Sequence, residues 1–430
     1  MRMRWNVGVP IRPPVVIATP TSSEVDDMDV GDGGSFTTRR QYWRAIVWLL
    51  ISLGVQAVAS MMSEEVESYY SQFIFYYVAR GLSSVNKFLP NLALGEIFFV
   101  LLVIWFISWC FWYMRRSWRR ETRFLDVIKV FFLQLLWVMS ILLPIFLALW
   151  GLNYQRLPLA ETLQFDRRPA RAGELEAIGL QIVSGVNSNY EQARGTRDWP
   201  TASSLPISRD TLFKAIERSF QQETLFGSAS QGEFSNPKPL YLSRLTNWMG
   251  VSGFYMAFTG EVTFNDQIPA SDLPMVIAHH KAHQRGWAKE DEANFIAYLV
   301  CINSTEPYVR YSGYLHGLKV LETLAKVNVD RYNGLLSDIR EGPRKDLNAR
   351  AEFWDSVKNS FLGAVARRTF SGYLRANRVH GGIKNFDEDV ALIIGFYLKY
   401  PQRQLPGADT GTPAAETQPT PQPEPTPTSF

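Results

Sequence analysis

Three long apolar runs in the first third of the chain constrain everything else. A backbone that crosses a bilayer has to satisfy its own hydrogen bonds, which favours helices. The runs are Ala45–Met62, Ile97–Met114 (IFFVLLVIWFISWCFWYM) and Val130–Leu152. About 20 apolar residues in a helix suffice to cross. Pro144 lies inside the third run, which a span tolerates where neighbouring helices satisfy the freed carbonyl. Trp43, Trp112, Tyr113, Trp150 and Tyr154 mark the ends of the runs, where amphipathic rings favour the headgroup level. The partner implied is a lipid bilayer. A signal peptide is the competing reading of the first run, but that run starts far from the N-terminus and lacks a clear cleavage site.

Charge sets the expected orientation. Arg115, Arg116, Arg119, Arg120 and Arg123 crowd between the second and third runs. The segment between the first and second carries Glu64, Glu65 and Glu67 against only Arg80 and Lys87. Basic loops stay in the cytoplasm. Residues 1–40 are therefore expected inside, 41–152 in the membrane region, and the domain 153–403 outside. Residues 1–40 are rich in Pro, Gly and Asp and lack periodicity, so they read as a disordered tail. Residues 404–430 (with TQPTPQPEPTPTS) are a second tail that cannot build a core. A net charge of +3 gives no footing for nucleic acid. The two cysteines, Cys110 and Cys301, exclude a disulfide framework. Aromatics at helical spacing over Glu67–Leu89 indicate an amphipathic helix, lying on the membrane surface or packed on the outer domain.

The outer domain reads as mainly helical, with helices over Gly173–Arg194, Ser208–Gln222 and, with breaks, Leu273 to about Tyr400. Aromatic and β-branched residues between Gly250, Gly253 and Gly260 suggest short strands within Lys238–Asn265. The expected fold class is thus three transmembrane helices plus an α+β, mainly helical domain.

The chemistry concentrates in SDLPMVIAHHKAHQRGWAKEDEANFIAYLVCINS, Ser271–Ser304, which holds three of the five histidines. Ser271 or Asp272 can cap a helix, Pro274 suits its first turn and Gly286 its end. His279 and His283, four apart, project from one face and can share one zinc ion. A second helix starting near Glu290 could fold back over a turn at Gly286–Lys289 and bring Glu292 to the same ion. Two imidazoles and one carboxylate leave a fourth position open, as in catalytic zinc sites.

AHHKAHQRGWAKEDEANFIAYLVC resembles the zinc-peptidase segment of a bacterial membrane family, that of domain of unknown function 3810, whose pattern is close to AHELAHQRGxAxEDEANFxAYLxC. WGLNYQR at Trp150–Arg156, GFYMAFTGEVTFN at Gly253–Asn265 and RYSGYL at Arg310–Leu315 extend the likeness over most of Ala45–Tyr400. The resemblance implies three N-terminal spans, a zincin-like metallopeptidase domain facing outward from a bacterial plasma (inner) membrane, zinc as cofactor, and His279, His283 and Glu292 as metal ligands. It also implies a peptide or envelope-protein substrate or ligand.

One departure matters. In HExxH the glutamate after the first histidine is the general base, and here that position is His280, followed by Lys281. Beside a dication, an imidazole gains no attraction on protonation, so His280 is a poor substitute. The base could instead be Glu261, and Tyr311 could donate to an oxyanion or simply pack. Glu290 and Asp291 could orient the histidines or complement the helix dipole, the latter favoured for Glu290. Gly260–Asn265 could offer a strand edge to an extended peptide. His316 reads as structural and His380 as a loop or helix end. The expected function is a membrane-anchored zinc-metallopeptidase-like protein whose hydrolysis is impaired or lost at His280. The alternative is a non-catalytic membrane-tethered binding or structural module.

Overall fold

The computed structural model describes residues 39–401 apart from 91, 120–123, 167, 359, 378 and 380–387. The two expected tails, except for Arg39 and Arg40, lie outside the described residues, as do Arg120, Arg123 and His380. Helix α1 spans Arg39–Ala59. A π-helical stretch, Val66–Ile74, leads into α2 (Phe75–Phe88). Helices α3 (Leu94–Trp118) and α4 (Phe124–Leu149) follow. Tyr42–Ala59, Leu94–Arg116 and Val127–Leu149 are long and apolar enough to cross a membrane. They match the three runs to within a few residues. The polar residues of the first run are accounted for by packing: Ser52 and Gln56 are buried, in a helix that lies along α4.

The other end of the bundle meets the rest of the chain. Ala59, at the end of α1, packs against the buried cluster that holds Tyr70 and Trp150. The Tyr70 hydroxyl donates to the carbonyls of Leu147 and Ala148 at 3.2 and 3.0 Å, in the last turn of α4. Those carbonyls have no intrahelical partner of their own. The segment between the first two spans buries one face (Val66, Tyr70, Phe75, Ala79) and exposes Tyr69, Phe73 and Tyr77. Of its two expected placements, packing on the domain describes the buried face.

The remaining helices include α5 (Ala172–Arg194), α6 (Arg209–Gln222), α7 (Ser243–Met249), α8 (Leu273–Gln284), α9 (Glu290–Ile302), α10 (Pro307–Gly317), α11 (Glu341–Lys358), α12 (Phe361–Ala376) and α13 (Asp389–Lys399), with short helices at Leu159–Thr162 and, between α10 and α11, at Val320–Val327 and Val329–Ser337. Ser208 Oγ caps α6 by accepting from Thr211 N at 3.1 Å. Helix α9 is the axis of the core: every residue from Phe295 to Ile302 is fully buried, among α6, α8, α10 and α13. Strands β1 (Lys238–Pro239), β2 (Gly253–Met256) and β3 (Glu261–Phe264) form one sheet in the order β1-β3-β2. Strand β3 runs parallel to β1 and antiparallel to β2. Both edges of β3 are therefore paired, which corrects the expectation that Gly260–Asn265 offers a free edge. On the α8 side that edge belongs to β2.

Glu261 has a structural task. Its carboxylate accepts from the backbone of Leu94 and Gly95 at 2.9 and 2.6 Å, from Thr259 Oγ1 at 2.9 Å and from Lys238 Nζ at 2.6 Å. It satisfies the first amides of α3, at the positive end of the helix dipole, and ties a span to the sheet. Removing one partner of a buried pair costs roughly 3–5 kcal/mol. Glu261→Ala should therefore lower the melting midpoint of the detergent-solubilised full chain sharply. Glu233→Ala, whose ion pair with Lys87 is exposed, should cost under about 1 kcal/mol. Equal midpoints for the two variants would refute the role given to Glu261.

Candidate metal centre

Helix α8 carries its histidines on the face turned toward the core. Its N-cap is Asp272, and Pro274 sits in its first turn, where a missing N–H costs nothing. The Asp272 side chain does not cap. It takes Trp354 Nε1 at 2.9 Å and pairs with Arg350. Gly286 ends the helix with φ +86°, a conformation costly for any residue with a Cβ. The reversal at 286–289 then starts α9 at Glu290.

This turn is clamped from the membrane side. Arg156 donates to Gly286 O at 3.0 Å and lies 3.7 Å over the Trp287 ring. Its guanidinium also makes a two-pronged pair with Glu67, at 2.7 and 2.6 Å. Burial works to raise the Glu67 pKa, but Arg156 outweighs it and holds the carboxyl below its usual range. Trp150, the residue after α4, donates from Nε1 to His283 O at 3.1 Å. The cluster is thus one side chain away from the end of a membrane-spanning helix.

Within the cluster, His279 Nε2 and His283 Nε2 lie 3.0 Å apart. Glu290 Oε2 is 3.1 Å from the first and 3.4 Å from the second. A tetrahedral ion with bonds of about 2.0–2.1 Å has ligand atoms about 3.3–3.4 Å apart. A point about 2.0–2.1 Å from all three atoms lies just off their plane, so these residues fit a metal. His283 Nδ1 contacts Trp287 O at 2.6 Å. A carbonyl only accepts, so Nδ1 carries the proton and a neutral His283 presents the Nε2 lone pair. His279 is supported by a side-chain hydrogen bond with Asn294.

The charges agree with this pairing. Burial pushes Glu290 upward, but His283 and His279 outweigh it and hold the carboxyl far below its ordinary range. Burial, followed by His283, lowers the His279 pKa. For His283 burial also pulls downward, yet Glu290 leaves the net shift upward. His280 is driven well below its usual value by burial and then by its two neighbours, so it is a neutral imidazole. Neither of its ring nitrogens has a hydrogen-bond partner among the described residues, although both are buried. One ligand atom from each of the three histidines lies within 4.8 Å of the others. The His280 ring is pressed against β2: a Cβ on Gly253 would meet its Nε2 at 2.8 Å and clash with Thr263 O. Only glycine allows that approach.

Several expected site residues lie elsewhere. Glu292 accepts from Leu159 N at 2.9 Å and Lys289 Nζ at 3.2 Å. At the histidines stands Glu290 instead, for which the sequence favours a dipole role over orienting the histidines. Glu261 is occupied at α3 and is corrected as a base. The Tyr311 hydroxyl donates to Asp346 Oδ2 at 2.7 Å, in a buried knot with Ser203 and Tyr308. That favours packing over oxyanion donation. Lys281 does not point at the histidines. It pairs with Glu217 at 2.7 Å, and burial brings its pKa down to about 8. His316 pairs with Asp389, a structural role as expected. Not anticipated were Tyr154 and Tyr373, whose hydroxyls lie 3.3 Å apart and whose pKa values, raised first by burial, are raised further by Glu290.

The chain belongs to the family described as "Protein of unknown function (DUF3810)", whose model matches residues 70–394. No curated protein and no solved structure matches it.

The geometry separates the two acids experimentally. Glu290→Ala should weaken zinc binding by more than about 100-fold, beyond the loss typical of an outer-sphere partner. Glu292→Ala should leave the affinity within about tenfold while lowering thermal stability. Competition with a chromogenic chelator would measure both. The reverse order of effects would restore Glu292 as the ligand.

Proposed function

We propose that this protein is a membrane-tethered, zincin-like metallopeptidase relative that holds zinc between His279, His283 and Glu290 and has lost most of its hydrolytic power at His280. The observation that carries the reading is the triangle of Nε2, Nε2 and Oε2 atoms at 3.0, 3.1 and 3.4 Å. Two imidazoles, one carboxylate and an open position are the donor set of hydrolytic zinc. A divalent cation there would supply Lewis acidity to a carbonyl in the open position.

The protein's own groups supply the rest. Trp287 O fixes the His283 tautomer, and Asn294 supports His279. The phenols of Tyr154 and Tyr373, both under the influence of the Glu290 charge, are candidate donors to a polarised carbonyl oxygen. A carboxylate able to take a proton from water and return it to the leaving amine is what the base position lacks. His280 stands there as a neutral imidazole pressed on β2. Protonating it beside a dication and two imidazoles is unfavourable. The retained capacity is binding of a polypeptide segment or envelope component by this domain. The hydrogen bond from Trp150, directly after α4, to the His283 carbonyl supports a site close to the membrane surface. The basic loop after α3 supports a cytoplasmic N-terminus and a domain outside the cytoplasm, at a bacterial inner membrane.

The test uses the full chain in detergent. The parent should purify with about one zinc per chain, as a preformed ligand set predicts. His280→Glu should keep that zinc and raise cleavage of unstructured peptides by about 10²–10⁴-fold, the usual contribution of general acid–base catalysis. If the parent takes up no metal under zinc-replete conditions, the proposal fails. Zinc uptake without any gain in His280→Glu would instead rule out a latent hydrolase and leave a binding module.

A further inference from the structure

The end of the molecule where α3 begins carries an apolar collar that neither the core nor the histidine cluster explains. At and along α7, Leu242, Leu245 and Trp248 are exposed, Trp248 by 63%. On α12, Phe361, Leu362 and Val365 are exposed, Phe361 by 80%. The two helices pack on one another, and Ser360 Oγ donates to Trp248 O. An exposed cluster of this kind on a soluble surface is an interaction site or a liability.

Its position says what covers it. Glu96, in the first turn of α3, accepts the backbone amides of Tyr241 and Leu242 at 2.8 and 2.6 Å. The start of α7 is thereby pinned to the start of a membrane-spanning helix. At the far end of α12, Tyr373 packs on Phe146, one turn before α4 ends, with ring centroids 6.3 Å apart. The collar therefore lies between the domain-side ends of two spans. Arg244, Arg368 and Arg375 are exposed on the same two helices. Helices with Trp, Phe and Leu on one face and basic residues beside it lie in the plane of the headgroups, and tryptophan favours that level.

We propose that α7 and the first half of α12 are seated in the headgroup–acyl boundary of the leaflet facing the domain, with Arg244, Arg368 and Arg375 set toward anionic lipid headgroups. Because Tyr373, on the same helix, bonds Tyr154, whose ring packs on Trp150, which donates to His283 O, this seat also fixes the height of the histidine cluster above the bilayer. The inference rests on the membrane reading of the spans and not on the metal.

The test is fluorescence quenching on the full chain in vesicles of phosphatidylethanolamine and phosphatidylglycerol. An environment-sensitive fluorophore is attached to native Cys110, in α3. In a Cys110→Ala background it is attached instead to Trp248→Cys, Phe361→Cys or Val329→Cys. Cys301 is fully buried and does not compete. Trp248 and Phe361 project outward, so their replacement leaves packing intact. Labels at 248 and 361 should be quenched at least about threefold more by lipids spin-labelled near the headgroup than by aqueous iodide, as insertion of about 5–10 Å requires. The Val329 label, exposed on a helix packed against α5, should respond to iodide. If Cys110 is quenched by lipid but positions 248 and 361 respond to iodide, the seat is overturned and the spans stand. Labels at 248 and 361 silent to both quenchers would mean a protein surface covers the collar, which also overturns it. Iodide quenching at Cys110 itself would remove the membrane reading together with this inference.

Discussion

A helix that buries His279, His280, Lys281 and His283, with Arg285 just past its end, in one core is possible only if nearly every one of those groups finds a partner, because an unpaired buried charge costs several kcal/mol. The partners come from two sides. Glu290 serves His279 and His283. Glu217, on α6, serves Lys281 and Arg285 at 2.7 Å each. Burial would raise the Glu217 carboxyl, but Arg285 and Lys281 outweigh it and keep the pKa low. Arg285 also lies 3.9 Å over the Phe220 ring, which lets a weakly hydrated guanidinium sit in an apolar core. His280 is the one imidazole without a hydrogen bond among these groups. Its burial rests on packing: the ring lies against Gly253 of β2 and edge-on to His279.

Much of this was legible in sequence because helical periodicity is a local property. The spans, the two histidines on one face, Gly286 as a stop and a helix start at Glu290 all depend on residues within a few turns of each other. The choice between Glu290 and Glu292 does not. Two residues apart on a helix is roughly 200° of rotation, so only one of them can face the histidines. Which one does depends on the path of the turn, set by the φ of Gly286 and by Arg156 gripping Gly286 O and Trp287 from more than a hundred residues upstream. Glu261 was misread for a similar reason. Its partners, Leu94 and Gly95, lie far away in sequence, and only the assembled sheet brings the carboxylate under α3. Glu217 carried no sequence signal as the partner of Lys281.

The strand edge shows the same limit. Gly260–Asn265 has the pattern of a half-buried strand, but pattern alone does not say whether the neighbours on both sides are occupied. Lys238–Pro239 pairs on one side through only two residues, too short a strand to announce itself. Gly253 was visible as a break in an aromatic stretch. Its reason, the His280 ring against its backbone, needed the fold.

The membrane helices are part of the machinery around the histidines and not a detachable anchor. Glu67 holds Arg156, which holds the turn between α8 and α9. Tyr70 takes the last carbonyls of α4, and Trp150, which directly follows α4, takes His283 O. Glu261 and Glu96 bind the first turn of α3 to the sheet and to α7. Cutting the chain at residue 152 would leave Arg156, the His283 carbonyl, Glu261 and the amides of Tyr241 and Leu242 without these partners, at about 1–3 kcal/mol apiece. A displacement of α4 would act directly on the backbone of His283, and one of the segment at Glu67 on the turn that aims Glu290. Contacts one residue deep therefore join the apolar helices to the histidine cluster, which is why the two have to be understood as a single structure.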